Sequence, residues 1–163
     1  IYLGTEVFFG QDVPEKINRG EILTMNKRNT VLLEFSPSDS YDYIRQGVQQ
    51  VQMTGNQVII AHAERYQCLL DDIGYAEELC DMGASIQVNA GSIIGDGGRR
   101  AKKFVKELMD EDMVFGVGTD AHGVHTRAPK MKKAADYVKK KYGEEYMRRI
   151  FFDNAATLLR KRK

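Results

Sequence analysis

The sequence predicts an α/β fold built on a mainly parallel sheet. Short apolar runs alternate with amphipathic helical segments along the chain, which is the pattern of β-α units. The apolar runs are continuous, as expected of parallel strands that are buried on both faces. The 163 residues, 42% of them hydrophobic and 29% charged, suffice for one globular domain with a real core. We therefore expect a single domain over residues 1–163.

In the first half of the chain, apolar runs over 1–9, 31–35 and 58–61 predict strands. A short helix is expected over 14–19, with Pro14 in the first turn, where proline is tolerated. A longer helix follows the capping residues 38–40, and Gly55 is placed to end it. Its apolar positions recur at helical spacing: Tyr41, Ile44, Val48 and Val51.

In the second half, apolar runs over 85–88 and 114–117 predict two more strands. A helix over 75–82 stops at Gly83, and another follows Gly98 with an apolar stripe that contains Phe104 and Leu108. The last long helix is expected to present one apolar face, made of Met131, Ala135, Val138 and Tyr142.

Composition excludes several classes of protein. The 24 basic and 23 acidic residues give a net charge of +1, which argues against a strongly basic nucleic-acid binder. No apolar run approaches the roughly 18 residues of a membrane span, and no secretory signal is visible. Cys68 and Cys80 are not spaced as a zinc or disulfide motif, so we expect reduced thiols in a cytoplasmic protein.

Polar residues follow the predicted strands, at the edge of the sheet where parallel α/β proteins carry their function. The second strand ends in Glu34, and the third runs into His62 and Arg65. The fifth runs into Asp120 and His122, two of the residue types that bind metals. The chain has three histidines, at 62, 122 and 125, and two of them directly follow a strand.

Carboxylate and imidazole ligands together suit Zn, Mn or Fe better than Ca or Mg alone. If the strands are neighbours, Glu34 and His62 can converge with Asp120 and His122. A carboxylate that bridged two metal ions would then hold them about 3.5–4 Å apart, as in enzymes that hydrolyse phosphate esters. The alternative is that each histidine caps a helix or lies satisfied in the core. Arg65 and Arg127 offer planar guanidinium groups for a phosphate, although either could be a surface arginine.

The other motifs in the sequence are weaker evidence of a function. The G-x-G-x-x-A pattern over 116–121 is not followed by a helix signal, as a dinucleotide site requires. There is no P-loop, no Cys-x5-Arg loop and no G-x-S-x-G elbow. The Gly-Asp-Gly-Gly segment over 95–98, which precedes a predicted helix, could bind an anion at the helix start. The basic run Arg99, Arg100, Lys102 and Lys103 is interpreted as a solvated face or, less simply, a docking face.

Several segments, in this order, resemble the bacterial protein-tyrosine phosphatases of the PHP (polymerase and histidinol phosphatase) superfamily that serve capsule and exopolysaccharide synthesis. The matching segments are Leu-Gly-Thr-Glu over 3–6, Leu-Glu-Phe over 33–35, Ile-Ala-His-Ala-Glu-Arg over 60–65, Asn-Ala-Gly-Ser over 89–92, Thr-Asp-Ala-His over 119–122 with Thr-Arg at 126–127, and Asp-Asn-Ala over 153–155. They extend across nearly the whole chain.

The resemblance implies a distorted β/α barrel with a multinuclear metal cluster, often of manganese, with Fe, Zn or Mg as the other candidates. By motif match the metal ligands would be Glu6, Glu34, His62, Asp120 and His122. Arg65 and Arg127, with Ser92, would hold the phosphate, and Asp120 would join the two arginines in catalysis. A metal-activated hydroxide would attack phosphorus without a phosphoenzyme. The implied substrate is phosphotyrosine on a bacterial tyrosine kinase that controls polysaccharide export.

Two departures from the family pattern stand out. Ala63 replaces the usual proline, and the family opens with a His-x-His strand and a further histidine that have no counterpart from Ile1 onward. We therefore expect roughly the C-terminal two-thirds of such a barrel, without its N-terminal strands. Two alternatives stay open: another PHP phosphoesterase, such as one acting on histidinol phosphate, or a non-catalytic module that only docks a partner.

Overall fold

The computed structural model describes residues 2–123, 129 and 131–159. Within them, five strands form one parallel sheet whose spatial order is the chain order. The strands are β1 (Glu6–Phe8), β2 (Thr30–Glu34), β3 (Gln57–Ile60), β4 (Ser85–Asn89) and β5 (Val114–Gly118). This arrangement confirms the predicted α/β class with parallel strands. It also brings the carboxyl ends of β2 to β5 to one edge of the sheet.

Helices connect the strands and complete the core. They are α1 (Val13–Asn18), α2 (Tyr41–Met53), α3 (Gln67–Asp71), α4 (Gly74–Asp81), α5 (Ala90–Ile94), α6 (Gly98–Asp110), α7 (Met131–Tyr142), α8 (Glu144–Arg148) and α9 (Asn154–Thr157). A π-helical turn over Arg149–Asp153 joins α8 to α9. No helix in the part of the chain that the structure describes is long and apolar enough to span a bilayer.

The apolar runs of the strands are buried as predicted. Leu33, Ile60 and Ile86 have no accessible surface, and α2 packs against β3 while α4 packs against β4. Each fully buried aliphatic side chain contributes about 1.5–3 kcal/mol to the stability of the fold. The N-terminal prediction is less accurate, because Tyr2 and Leu3 are exposed and the strand begins only at Glu6.

The predicted helix ends are close to those observed. The Tyr43 N–H donates to Oγ of Ser40 at 3.3 Å, which caps α2, and Gly55 has the left-handed φ of +81° that ends this segment. On α7 the buried positions are Ala134 and Val138, so the apolar face is centred one residue before the predicted Ala135.

Candidate active site

Three side chains from neighbouring strands converge at one end of the sheet. Glu6 pairs with Leu32 across β1 and β2, so Glu34, two residues further on, lies on the same face of the sheet. His62 follows β3 directly. One ligand atom from each of Glu6, Glu34 and His62 can be chosen so that all three atoms lie within 4.8 Å of one another.

The contacts in this cluster are those of ligands that surround a shared point. Nε2 of the buried His62 lies 3.0 Å from Oε1 of Glu6 and 3.1 Å from Oε1 of Glu34. Neither contact has hydrogen-bond geometry, and both ring nitrogens lack a hydrogen-bond partner among the described residues. Two atoms that each bind one ion at about 2.1 Å, at right angles, stand about 3.0 Å apart. The residues present therefore fit a metal ion that accepts carboxylate and imidazole ligands.

The backbone at His62 is held in an unusual conformation. Its φ of +33° is left-handed, which is uncommon for a residue with a Cβ and typical of functional sites. The side chain of Gln87, on β4, accepts the His62 N–H at 2.6 Å. In addition, the hydroxyl of the buried Tyr66 donates to the Ala61 carbonyl at 2.9 Å and accepts the Phe35 N–H at 3.2 Å. These bonds fix the His62 backbone relative to β2, β3 and β4.

A second group of polar residues surrounds Asp120. Its φ of +47° is also left-handed, and its carboxylate forms an ion pair with Arg65. Asn89 Nδ2 lies 3.5 Å from the same carboxylate, and Nδ1 of exposed His122 lies 2.9 Å from the Asp120 carbonyl. Among the described residues, Asp120 and His122 do not join the cluster of Glu6, Glu34 and His62. Their role as further ligands stays a prediction.

Glu64 is a site residue that the sequence reasoning did not assign. Its buried Oε1 accepts the Asn89 N–H at 3.0 Å and the Ser92 hydroxyl at 2.8 Å, while the buried Oε2 has no hydrogen-bond partner among the residues that the structure describes. Burial raises the pKa of Glu64, and the hydrogen bond from Ser92 opposes that shift. The one signal in the sequence is a carboxylate placed between His62 and Arg65, directly after an apolar strand.

A pocket of about 390 Å³, which is the size of a small-ligand site, lies beside Glu64 and Asp120. Arg65 contributes a guanidinium, Ser92 a hydroxyl and Asp120 a carboxylate to its wall. Its lining is completed by Glu64, Asn89, Gly91, Asp96, Gly97, Ala101 and Thr119. The predicted phosphate ligand Arg127 and the third histidine, His125, lie outside the described residues. The arrangement combines a cluster that could hold a metal ion with a polar pocket that could hold an anion.

Comparisons with known proteins agree with this chemistry. Residues 1–160 match the family described as capsular polysaccharide synthesis, CpsB/CapC. Tyrosine-protein phosphatase CpsB of Streptococcus pneumoniae is 33% identical, over 98% of this chain and 68% of that protein. Tyrosine-protein phosphatase YwqE of Bacillus subtilis is 28% identical, over 96% of this chain and 61% of that protein.

A solved structure is similar in fold over nearly the whole chain. It comes from work on YwqE from Bacillus subtilis and CpsB from Streptococcus pneumoniae, described there as unique metal-dependent tyrosine phosphatases. The TM-score is 0.87 at 28% identity, and the match covers 96% of this chain and 63% of the solved one. The chain thus spans somewhat under two-thirds of that structure, and it belongs to the CpsB/CapC family of capsular polysaccharide synthesis.

Proposed function

We propose that this chain acts in a metal-dependent tyrosine-protein phosphatase of capsular polysaccharide synthesis. The observation that carries the proposal is the cluster of Glu6, Glu34 and His62, in which a buried imidazole nitrogen faces two carboxylates without a hydrogen bond. The arginine-lined pocket supplies a place for a phosphate. The relatives named above, which are tyrosine-protein phosphatases, support the same activity.

The metal-binding residues would be Glu6, Glu34 and His62, with Asp120 and His122 as further ligands of a multinuclear site. A bound metal would supply a Lewis acid that activates water and neutralises charge on the phosphoryl group. Manganese is the first candidate, with Fe, Zn and Mg after it. We propose that the whole site belongs to a distorted PHP-type barrel, of which residues 1–163 are a single domain.

Arg65 would bind the non-bridging phosphate oxygens through its planar fork of N–H donors. Its ion pair with Asp120 orients the guanidinium before substrate arrives, and the Asn89 amide beside the same carboxylate limits where Asp120 can move. Ser92 lines the same pocket and would offer a hydroxyl to the phosphate, and Arg127 would provide a second guanidinium. Orientation of this kind is a large part of catalysis in phosphoryl transfer.

The substrate would be phosphotyrosine in a protein, and we propose a bacterial tyrosine kinase of polysaccharide export. The two half-buried free thiols, Cys68 and Cys80, suit the reducing cytoplasm in which such a kinase would present its tyrosines.

The test is hydrolysis of an aryl phosphate and a phosphotyrosine peptide with added Mn²⁺. Chelation with EDTA, His62→Ala and Arg65→Ala should each abolish turnover. Arg100→Ala should not, because that arginine pairs with Asp71 on the surface outside the pocket. Turnover that survives chelation would contradict the proposal. Faster turnover of histidinol phosphate would favour another phosphoesterase, and metal binding without any turnover would favour a docking module.

A further inference from the structure

The basic run on α6 separates into two faces of the helix. Arg100 turns toward α3, where it pairs with Asp71 and donates to Oε1 of Gln67 at 3.1 Å. Four exposed cations instead border a groove of about 280 Å³ between α6 and α7: Arg99, Lys102, Lys103 and Lys106. The basic run of the sequence therefore contains one arginine, Arg100, that contacts another helix, whereas the other cations line one groove.

The floor of this basic groove is apolar. Ile93, Met109 and the ring of Tyr137 form the rest of its lining, and Lys102 Nζ lies 5.9 Å from the centre of that ring. A hollow with an apolar floor and a cationic rim fits an extended peptide better than it fits a simple ion, because it offers contact to side-chain carbon as well as to charge.

The charge of the rim is only partly balanced. Lys103 lies 3.3 Å from Glu107, and Lys106 pairs with Asp110, both within one helical turn. Arg99 and Lys102 form no ion pair with the described residues. The unbalanced positive charge therefore lies toward the N-terminal half of α6, which is also the half nearest to the pocket.

The groove and the phosphate pocket are neighbours on the same elements. Ser92 and Ala101 line the pocket, whereas the next residues in the chain, Ile93 and Lys102, line the groove. A helix with its side chains is about 10 Å wide, and an extended peptide advances about 3.3 Å per residue. A peptide whose phosphotyrosine occupied the pocket would reach the groove within about three to four residues.

We propose that the basic groove binds acidic residues that flank the phosphotyrosine of a protein substrate. The proposal rests on the proposed phosphatase function, because the pocket fixes the register of the peptide. The groove gives the protein a substrate preference: peptides with Asp or Glu a few residues from the phosphotyrosine bind more tightly than the same peptides with neutral flanks. Arg99 and Lys102 carry that preference, since they form no ion pair within the described part of the chain that a peptide would have to break.

The experiment measures, by anisotropy, binding of two fluorescein-labelled peptides to the full chain with Mn²⁺, and each peptide carries a non-hydrolysable phosphotyrosine analogue so that no hydrolysis occurs. One peptide has glutamate flanks and the other has serine flanks. The chain should bind the acidic peptide about five- to twenty-fold more tightly, as expected for two exposed ion pairs. The Arg99→Ala/Lys102→Ala variant should lose the difference, and Lys16→Ala/Arg100→Ala, which removes the same charge elsewhere, should keep it.

Failure of this inference is distinguishable from failure of the proposed function. Equal binding of the two peptides, or a difference that survives Arg99→Ala/Lys102→Ala, overturns the inference. The inference is also overturned if a polyanionic polysaccharide displaces the acidic peptide at a lower concentration than the unlabelled peptide does. Arg65→Ala should weaken both peptides equally; if it weakens neither, the phosphate pocket is wrongly assigned, whatever the groove does.

Discussion

The buried carboxylate of Glu64 links the turn that follows β3, which contains His62 and Arg65, to the neighbouring strands. Its Oε1 holds the Asn89 N–H and the Ser92 hydroxyl, the Asn89 side chain approaches Asp120, and Asp120 pairs with Arg65. These contacts form a closed path that begins and ends in the turn after β3. Glu64 therefore positions groups on both sides of the pocket.

Substitution of Glu64 separates its hydrogen bonds from its charge. Glu64→Ala leaves the buried Asn89 N–H and Ser92 hydroxyl without an acceptor, and we expect the free energy of unfolding to fall by about 1–3 kcal/mol. Glu64→Gln keeps an acceptor oxygen, and because burial raises the pKa of Glu64 the neutral amide avoids part of the desolvation cost. Urea unfolding in EDTA measures the free energy of unfolding of both variants. An equal decrease in the two would contradict the role of Glu64 as a buried hydrogen-bond acceptor.

The thiol of Cys80 is predicted to be slow to react. Burial, and after it the charges of Asp81 and Glu77, raises the pKa of Cys80 to about 11. A higher pKa means less thiolate, so at pH 8 alkylation by iodoacetamide should be about a hundred-fold slower than for an ordinary thiol. The rate should recover in urea, and Cys80→Ser assigns the signal. A folded chain that reacts as fast as the unfolded one would disprove the prediction.

For single residues, the sequence predicts those that lie at strand ends but not those whose role depends on buried tertiary contacts. Glu34 and His62 were identified because apolar runs place them at one edge of a parallel sheet. Glu6 followed from the family resemblance, since nothing local distinguishes it. Glu64 was missed because its importance depends on which of its neighbours, Asn89 and Ser92, the sheet brings within reach.

Strand β5 reaches the site through a close approach at Gly118. A Cβ on this residue would overlap Nε2 of Gln87, the side chain that accepts the His62 N–H. For Gly116, two residues earlier on the same strand, the nearest of the described atoms to such a Cβ would be the Ile150 carbonyl oxygen, at 4.0 Å. One glycine is thus required by the site, and the other is available as a control.

We expect Gly118→Ala to displace Gln87 without unfolding the chain, because the crowded atom is the end of a flexible side chain. The free energy of unfolding should fall by about 1–3 kcal/mol, the usual cost of an overpacked site. Metal affinity should fall too, because the His62 turn loses its support. Gly116→Ala should be nearly neutral in both measurements, by urea unfolding and by Mn²⁺ titration. Similar effects of the two substitutions would refute this interpretation.

Among the elements, length decided what the sequence could predict. The helices α2 and α6 have 13 residues each, so their apolar positions repeat often enough to fix the buried face. The helices α3 and α5 have five residues each, too few for a periodic signal, and neither was predicted. The helix α5 begins directly after β4 and lines the pocket through Gly91 and Ser92, so a short element that the periodicity does not predict contributes to the site.

On the scale of the whole molecule, the proposed metal-binding cluster joins three consecutive strands. Glu6 lies on β1, Glu34 ends β2 and His62 follows β3. In the described sheet β1 has three residues and pairs only with β2, so it is held by few backbone hydrogen bonds. Two carboxylates that face one imidazole repel each other, and a cation between them would turn that repulsion into a cross-link.

Metal binding should therefore stabilise the fold and not only the site. A ligand that binds only the native state adds RT ln(1 + [L]/Kd), about 2.7 kcal/mol at a hundred times Kd. Thermal unfolding should show a higher Tm with Mn²⁺ than with EDTA, and hydrogen exchange should slow most along β1.

Glu6→Gln/Glu34→Gln should abolish the shift in Tm and, in EDTA, be at least as stable as the wild type, because it removes the repulsion between the two carboxylates. Glu21→Gln, an exposed control, should keep the shift; a shift that survives loss of both glutamates would place the metal elsewhere in the chain.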